Sequence, residues 1–291
     1  MAKSLLELMM ESEHLDEVST SSRVEPVRGP FLWPGNKFSS LENILPMLPH
    51  RESFIDVFGG SGAVTLNRKV SKFQVFNDAN SGVCAFFRVC RDKDKLEQLC
   101  DIINLMPHAR EEFMLCKRTW EQELDDVVKA AKFYYTVQCS FHGDMRVFGR
   151  TRTGSTIIWK RLRDKLPEFQ RIANAFLSIQ IENLDWRVCL KDFDSKDTVF
   201  YLDPPYVNKN CYHDKMTVDD HHEMCRKIMG MKGFVALSGY ENEVYDQYQW
   251  DHVYSWEIPD RLSTQMYNDN FESKEKGQVR GAAKEVLWIK E

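Results

Sequence analysis

The stretch from Ser53 to Asp78 restricts the fold of this chain more than any other. An apolar run, Ser53-Phe54-Ile55-Asp56-Val57-Phe58, stops at Gly59-Gly60-Ser61-Gly62. A helical pattern begins at Ala63, a second run spans Phe73-Gln74-Val75-Phe76-Asn77, and Asp78 stands just past it. Short apolar runs closed by glycines are buried strands, and strand, glycine turn, helix, strand is the building unit of a parallel α/β sheet. The same alternation resumes near Leu177. Strands are expected over Ser178 to Ile181, Thr198 to Leu202, 233–238, 252–257 and Glu285 to Ile289, with helices over 217–230 and 242–248. Between the two halves, 92–132 reads as polar and helical, its stretch 108–132 (Phe113, Trp120, Val127) being a packing helix. Residues 133–160 mix aromatics, glycines and basic residues without a period, as loops and a hairpin do. Residues 29–95 and 190–291 therefore read as two parts of one sheet domain, and 96–189 as an insert. Residues 1–28 read as an appendage: a short apolar stretch, then a Ser19-Thr20-Ser21-Ser22 linker of the composition of disordered segments.

Composition excludes several classes. Of 291 residues 43% are apolar and 29% charged, which suits a globular protein with a real core. No apolar run approaches the ~18 residues of a membrane span. The first 25 residues carry two basic and six acidic groups, the wrong charge for a secretion signal, so a cytoplasmic setting, nucleoid-associated or in a virus-infected host, is expected. Eight cysteines without a Cys-x-x-Cys pair make neither a disulfide framework nor a structural zinc site. Cys211, His213, His221, His222 and Cys225 lie close in sequence but match no zinc spacing, so no metal is expected. The formal net charge is −5, yet Asp144 to Lys165 holds seven basic residues and two acids. A basic block in an acidic body suits either a solvated face or a site for a polyanion.

Two motifs carry chemistry. Gly59, Gly60 and Gly62 let the backbone approach a ligand at the carboxyl end of the first strand, where open α/β sheets bind them. Asp78, at the end of the second strand, is placed to accept hydrogen bonds from ribose hydroxyls. The third glycine of a dinucleotide fingerprint is missing, as is a phosphate-loop lysine. A nucleoside without a pyrophosphate remains, S-adenosylmethionine foremost. The second motif, Asp203-Pro204-Pro205-Tyr206, ends a buried strand. Two prolines fix the chain and strip two N–H donors. They leave an acid, a carbonyl and an aromatic ring, a set suited to an exocyclic amine on a flat base.

Asp-Pro-Pro-Tyr after an apolar strand, with Phe58-Gly59-Gly60-Ser61-Gly62 upstream and Pro30-Phe31-Leu32-Trp33-Pro34-Gly35-Asn36-Lys37 before both, resembles the alpha-group DNA adenine methylases. Pro34 and Asn36 stand where alanine and glycine are more usual. Ser140 to Arg146 matches the family's recognition loop only loosely. The resemblance implies a Rossmann-like S-adenosylmethionine-dependent methyltransferase sheet with an inserted, mainly helical target-recognition domain at 96–189. It assigns Asp203, Pro204 and Tyr206 to catalysis, and Trp33, Lys37, Phe58, Gly59, Gly62, Asp78, Asp185 and Asp203 to the cofactor. Lys37 suits the methionine carboxylate. Asn183-Leu184-Asp185-Trp186 resembles the stretch beside the cofactor adenine. Arg146, Arg150, Arg152, Lys160 and Arg161 become the expected nucleic-acid contacts, Arg146 being the candidate base reader. Double-stranded DNA is the expected partner of a monomeric enzyme, with pairing to a cognate restriction enzyme left open.

Adenine N6 is the expected target. Two acceptors on its N–H groups would localise its lone pair, after the base has left the helix. None of the ten prolines precedes a cysteine, which excludes the nucleophilic route to cytosine C5. Cytosine N4 methylation, RNA adenine methylation and a catalytically silent nucleic-acid-binding module stay open as alternatives.

Overall fold

The computed structural model describes residues 25–149, 157–207, 216–259 and 282–291. Among them seven strands form one sheet: β1 (Ser53–Asp56), β2 (Phe73–Asn77), β3 (Gln180–Glu182), β4 (Thr198–Leu202), β5 (Phe234–Tyr240), β6 (His252–Pro259) and β7 (Ala282–Lys290). Their order is β3-β2-β1-β4-β5-β7-β6. The first five are parallel neighbours. β7 is antiparallel to both β5 and β6, so the last two strands form a hairpin-like edge. The parallel part is the doubly wound arrangement, with its switch point where β1 meets β4.

Period-two alternation divides the central strands between two faces. Ile55, Phe200, Leu202, Val235, Leu237 and Trp288 point to the side covered by α9 (Trp186–Asp192) and α10 (Val218–Met229). Phe54, Val199, Tyr201, Phe234, Ala236 and Leu287 point to the other, against Val64 and against Leu41 and Ile44 of the short α1 (Leu41–Ile44). Every residue of β4 is buried, as a central strand of a parallel sheet requires.

The remaining helices are α2 (Ala63–Asn67), α3 (Ser81–Cys90), α4 (Lys93–Leu105), α5 (Arg110–Thr119), α6 (Asp126–Cys139), α7 (Ile157–Asp164) and α8 (Phe169–Phe176). The largest apolar cluster runs from Phe31 and Phe76 through Phe86 and Phe87 to Phe133, Tyr134, Phe169 and Phe176. The helices of the 96–189 interval thus share a core with α3 and the edge of the sheet, and that interval also supplies β3.

Three local expectations are corrected. The stretch 133–160 is not loop throughout, because α6 continues to Cys139. Asp125 caps it by accepting from Val127 and Val128 N–H, and nearly its whole circumference is buried, so no amphipathic period marks it in sequence. The packing helix expected over 108–132 is two helices, broken between Thr119 and Asp126. The helix expected over 242–248 shrinks to a 3-10 turn at Tyr245–Gln247. The expected strands 53–58 and 73–77 occur at Ser53–Asp56 and Phe73–Asn77.

Candidate active site

The carboxyl ends of β1, β2 and β4 open onto one cavity of about 200 Å³, its mouth facing solvent. The glycine turn forms its floor. Gly60 and Gly62 hold φ of 53° and 75°, values that favour glycine. A Cβ on Gly60 would stand 2.6 Å from the Trp33 ring, and one on Gly59 would stand 2.1 Å from Phe76. The turn closes with Gly62 N–H donating to the Gly59 carbonyl at 2.8 Å. Asn36 ties the opening segment to it, donating from Nδ2 to Ser61 Oγ at 2.7 Å.

Trp33, Lys37, Phe58, Gly59, Asp78, Asp185 and Asp203 all line this cavity, so the fold gathers most of the residues singled out in sequence. Gly62 caps α2 at its edge. Pro204 is buried and outside the cavity wall. Tyr206 is buried too; its ring centre lies 4.5 Å from that of Tyr240, and it faces a smaller pocket beside Gly239 and Tyr245.

Asp78 holds the turn and the next helix together. Its Oδ2 accepts Gly60 N–H at 2.7 Å and its Oδ1 accepts Asn80 N–H at 2.8 Å. Asn183 Nδ2 clasps the same corner by donating to the Asp78 and Ala79 carbonyls. Asp185 caps α9, accepting Arg187 N–H at 2.8 Å. Arg187, a cavity residue that sequence reasoning missed, lies 4.4 Å over the Trp186 ring and pairs with Asp185, Asp220 and Glu223.

Lys37 commits its ammonium to the other end of the cavity. It is 4% exposed and donates to the Gly35 carbonyl at 3.2 Å, to the Tyr206 hydroxyl at 2.7 Å and, in a close ion pair, to Asp203 Oδ1. Three donors thus meet three acceptors. Burial pushes the Asp203 carboxyl up to about 7, against the pull of Lys37 and with the repulsion of Glu285. Asp56, at the end of β1, is also pushed up to about 7 by burial, although Thr65 Oγ1 donates to its Oδ2 at 2.6 Å. Asp56 Oδ1 has no hydrogen-bond partner among the described residues. Sequence reasoning passed over Asp56, and the signal was an acid inside an otherwise apolar strand.

Five aspartates (56, 78, 185, 203, 220) and two cations (37, 187) therefore surround the cavity, and both cations are already paired. Such a wall favours a cationic ligand and disfavours a polyphosphate.

The basic block is divided. Arg161 donates to the Gln138 carbonyl at 2.6 Å, Arg163 to the Asn104 and Met106 carbonyls, and Lys165 to Glu168. Lys160 and Arg146 are exposed. Arg150 and Arg152 lie outside the described residues, as do Cys211 and His213. Arg146 follows Met145, which is buried with φ of 58°, in a loop closed by the Ser140–Phe148 bridge. Gly143 of that loop packs on Leu32, so the loop stands beside the opening segment. A groove lined by Arg28, Trp33, Asn36, Gln138, Arg161 and Lys165 shares Trp33 and Asn36 with the cavity. His221 shares a 2.7 Å hydrogen bond with the Tyr245 hydroxyl, and His222 one of 3.0 Å with Tyr248. No helix among the described residues is long and apolar enough to cross a membrane.

Residues 33–272, from Trp33 through the glycine turn and past Asp203-Pro204-Pro205-Tyr206, match the D12 class N6 adenine-specific DNA methyltransferases. The chain belongs to that family. It is similar to Modification methylase StsI of Streptococcus sanguinis, 26% identical over 214 residues, which are 69% of this chain and 32% of the relative. It is also similar to DNA N-6-adenine-methyltransferase of Escherichia phage P1, 27% identical over 135 residues, or 46% of this chain and 18% of the relative. The chain thus spans about a third or less of the length of these relatives.

Proposed function

We propose that this D12 chain transfers a methyl group from S-adenosylmethionine to N6 of an adenine in double-stranded DNA, at a specific short sequence. The observation that carries the reading is the position of Asp203, at the carboxyl end of a central strand, in the wall of an acidic cavity floored by glycines. S-adenosylmethionine fits this wall by charge, since its sulfonium and ammonium outweigh its carboxylate. The orphaned Asp56 Oδ1, the Gly60–Trp33 cradle and Asp78 beside the turn are suited to its methionine and ribose parts. Asp185 and Trp186 border the end assigned to its adenine.

When bound, the cofactor supplies a methyl group already activated on sulfur. The protein supplies position and charge. Asp203 accepts an N–H of the target amine, which localises the nitrogen lone pair; the Pro204 carbonyl is assigned the other N–H by the sequence motif alone, Pro204 standing outside the cavity wall. Positive charge grows on that nitrogen as the bond forms, so an ionised Asp203 stabilises the transition state more than the ground state. Lys37 holds Asp203 in place, and Tyr206, whose hydroxyl accepts from Lys37, braces that pair from the neighbouring pocket. The base reaches the cavity by leaving the duplex.

The 96–189 interval is the target-recognition region in this reading. Arg146 presents an exposed cation beside the opening segment, suited to a guanine edge or a phosphate. Lys160 supplies backbone charge, with Arg150 and Arg152 assigned to the same role by sequence alone. The test is transfer of labelled methyl to duplex DNA, followed by nucleoside analysis. Label in N6-methyladenine is expected. Label in cytosine selects the N4 reaction instead, and absence of label from any DNA refutes the proposal.

A further inference from the structure

The last strand of the sheet brings a carboxylate to the site that the mechanism above leaves without a role. Glu285 lies on β7, beyond the residues matched to the family, and is 1% exposed. Ser238 Oγ on β5 donates to its Oε1 at 3.0 Å. The Tyr206 hydroxyl lies 3.2 and 3.3 Å from its two oxygens, and Lys37 Nζ lies 3.5 Å from Oε1. Sheet register places Glu285 opposite Tyr240, the residue whose ring packs on Tyr206. A continuous path results: Lys37 donates to the Tyr206 hydroxyl, and that hydroxyl donates to Glu285. One buried ammonium therefore stands between two carboxylates, the half-buried Asp203 and the buried Glu285.

We propose that Glu285 is a positioning residue for methyl transfer: through the Tyr206 hydroxyl, and by its charge 3.5 Å from Nζ, it fixes the Lys37 ammonium that pairs with Asp203 and so keeps Asp203 placed to accept the target amine. The inference rests on the methyltransferase reading and adds to it a residue from outside the matched motifs. The groups facing Asp203 are Lys37 from the opening segment, Asp56 from β1, Tyr201 from β4, Tyr245 from the 3-10 turn, Tyr206 from its own loop, and Glu285. Among them, Glu285 is the carboxylate that contacts Lys37 as well. Its negative charge opposes ionisation of Asp203, as burial does.

The full chain and its E285Q, E285D and S238A variants decide the matter. The Asp203 carboxyl is titrated by carbon NMR without cofactor or DNA, its signal assigned by loss in D203N, and methyl transfer to DNA is measured across pH. In E285Q, Asp203 should titrate at lower pH than in the wild type, and the alkaline plateau of kcat should fall roughly 10- to 100-fold through misplacement of the reacting groups. The KM for cofactor should hold. E285D should recover part of the rate. An E285Q protein with unchanged Asp203 titration and unchanged kcat overturns the proposal. If E285Q does not fold, S238A serves: it frees Glu285 but keeps its charge, so kcat should fall while the Asp203 titration stays put, and an unaltered kcat overturns the proposal. A wild-type protein that methylates no DNA defeats the methyltransferase reading instead, and the titration arm still decides whether Glu285 and Asp203 are coupled.

Discussion

Asp203 is held between opposing influences. Burial and Glu285 favour its protonated form, and Lys37 favours its charged form, with about 7 as the outcome. As an acceptor it must be ionised, so kcat/KM should rise with pH through about 7. Asp203→Ala should lower turnover by roughly 10²–10³-fold or more, the scale of losing one preorganised electrostatic partner. The fold should survive because Lys37 keeps Glu285. A pH profile of the wild type and a turnover measurement on the variant check both points, and retained turnover defeats the two-acceptor mechanism. Asp56 gives a stability effect of definite sign. Its folded value of about 7 lies above the unfolded 3.8, so the folded state binds the proton more tightly. The stability this contributes is complete below the unfolded value and is lost as pH rises toward about 7. Asp56→Asn should therefore be more stable than the wild type at alkaline pH, by on the order of 1–4 kcal/mol, and the gain should shrink toward pH 4. Urea unfolding of both proteins across that range measures it. His221, held neutral by burial down to about 4, has the opposite slope, but it is common to both proteins and cancels in the difference.

At the scale of elements, the glycine turn does two separable jobs. Gly59 makes room for Phe76, which packs on Phe87 and Phe176 in the main core. Gly60 makes room for Trp33 at the cavity mouth and takes a left-handed backbone. Gly59→Ala should then cost stability, about 1–3 kcal/mol for overpacking, whereas Gly60→Ala should chiefly weaken cofactor binding by displacing Trp33. Thermal unfolding and cofactor titration of the two variants separate the effects; equal loss of both properties in both variants refutes the division. This turn was legible in sequence because glycines and an acid at a strand end follow from backbone geometry. The strands around it were legible because their apolar runs have sharp ends. Helix α6 was not, since burial on nearly all sides erases the period that marks a helix. Glu285 was hidden for another reason. Its meaning depends on an antiparallel register that sets it opposite Tyr240, and no local pattern encodes that. The basic block misled in part: Arg161 and Arg163 are spent on carbonyls of the helical region itself.

At the scale of the whole molecule, the proposed reaction asks an acidic chain to hold a cationic cofactor and a polyanionic substrate side by side. The solution offered by this fold is segregation. Carboxylates converge at the ends of β1, β2 and β4, and exposed cations such as Arg146 and Lys160 stand on the helical region packed at the β2–β3 edge of the sheet. Field lines in a low-dielectric cavity are poorly screened, so the carboxylates act on a ligand inside it more than on DNA at the surface. That separation makes a prediction about charge alone. S-adenosylmethionine and S-adenosylhomocysteine differ by one methyl group and one positive charge at sulfur. As pH rises through about 7, Asp56 and Asp203 ionise, and affinity for the charged ligand should climb faster than affinity for the neutral-sulfur one. Calorimetric titration of both ligands across that range reads the gap directly, and D56N should narrow it. Parallel affinity curves for the two ligands would mean that these carboxylates do not face the sulfur, and the placement of the cofactor along the floor of the cavity would have to be abandoned.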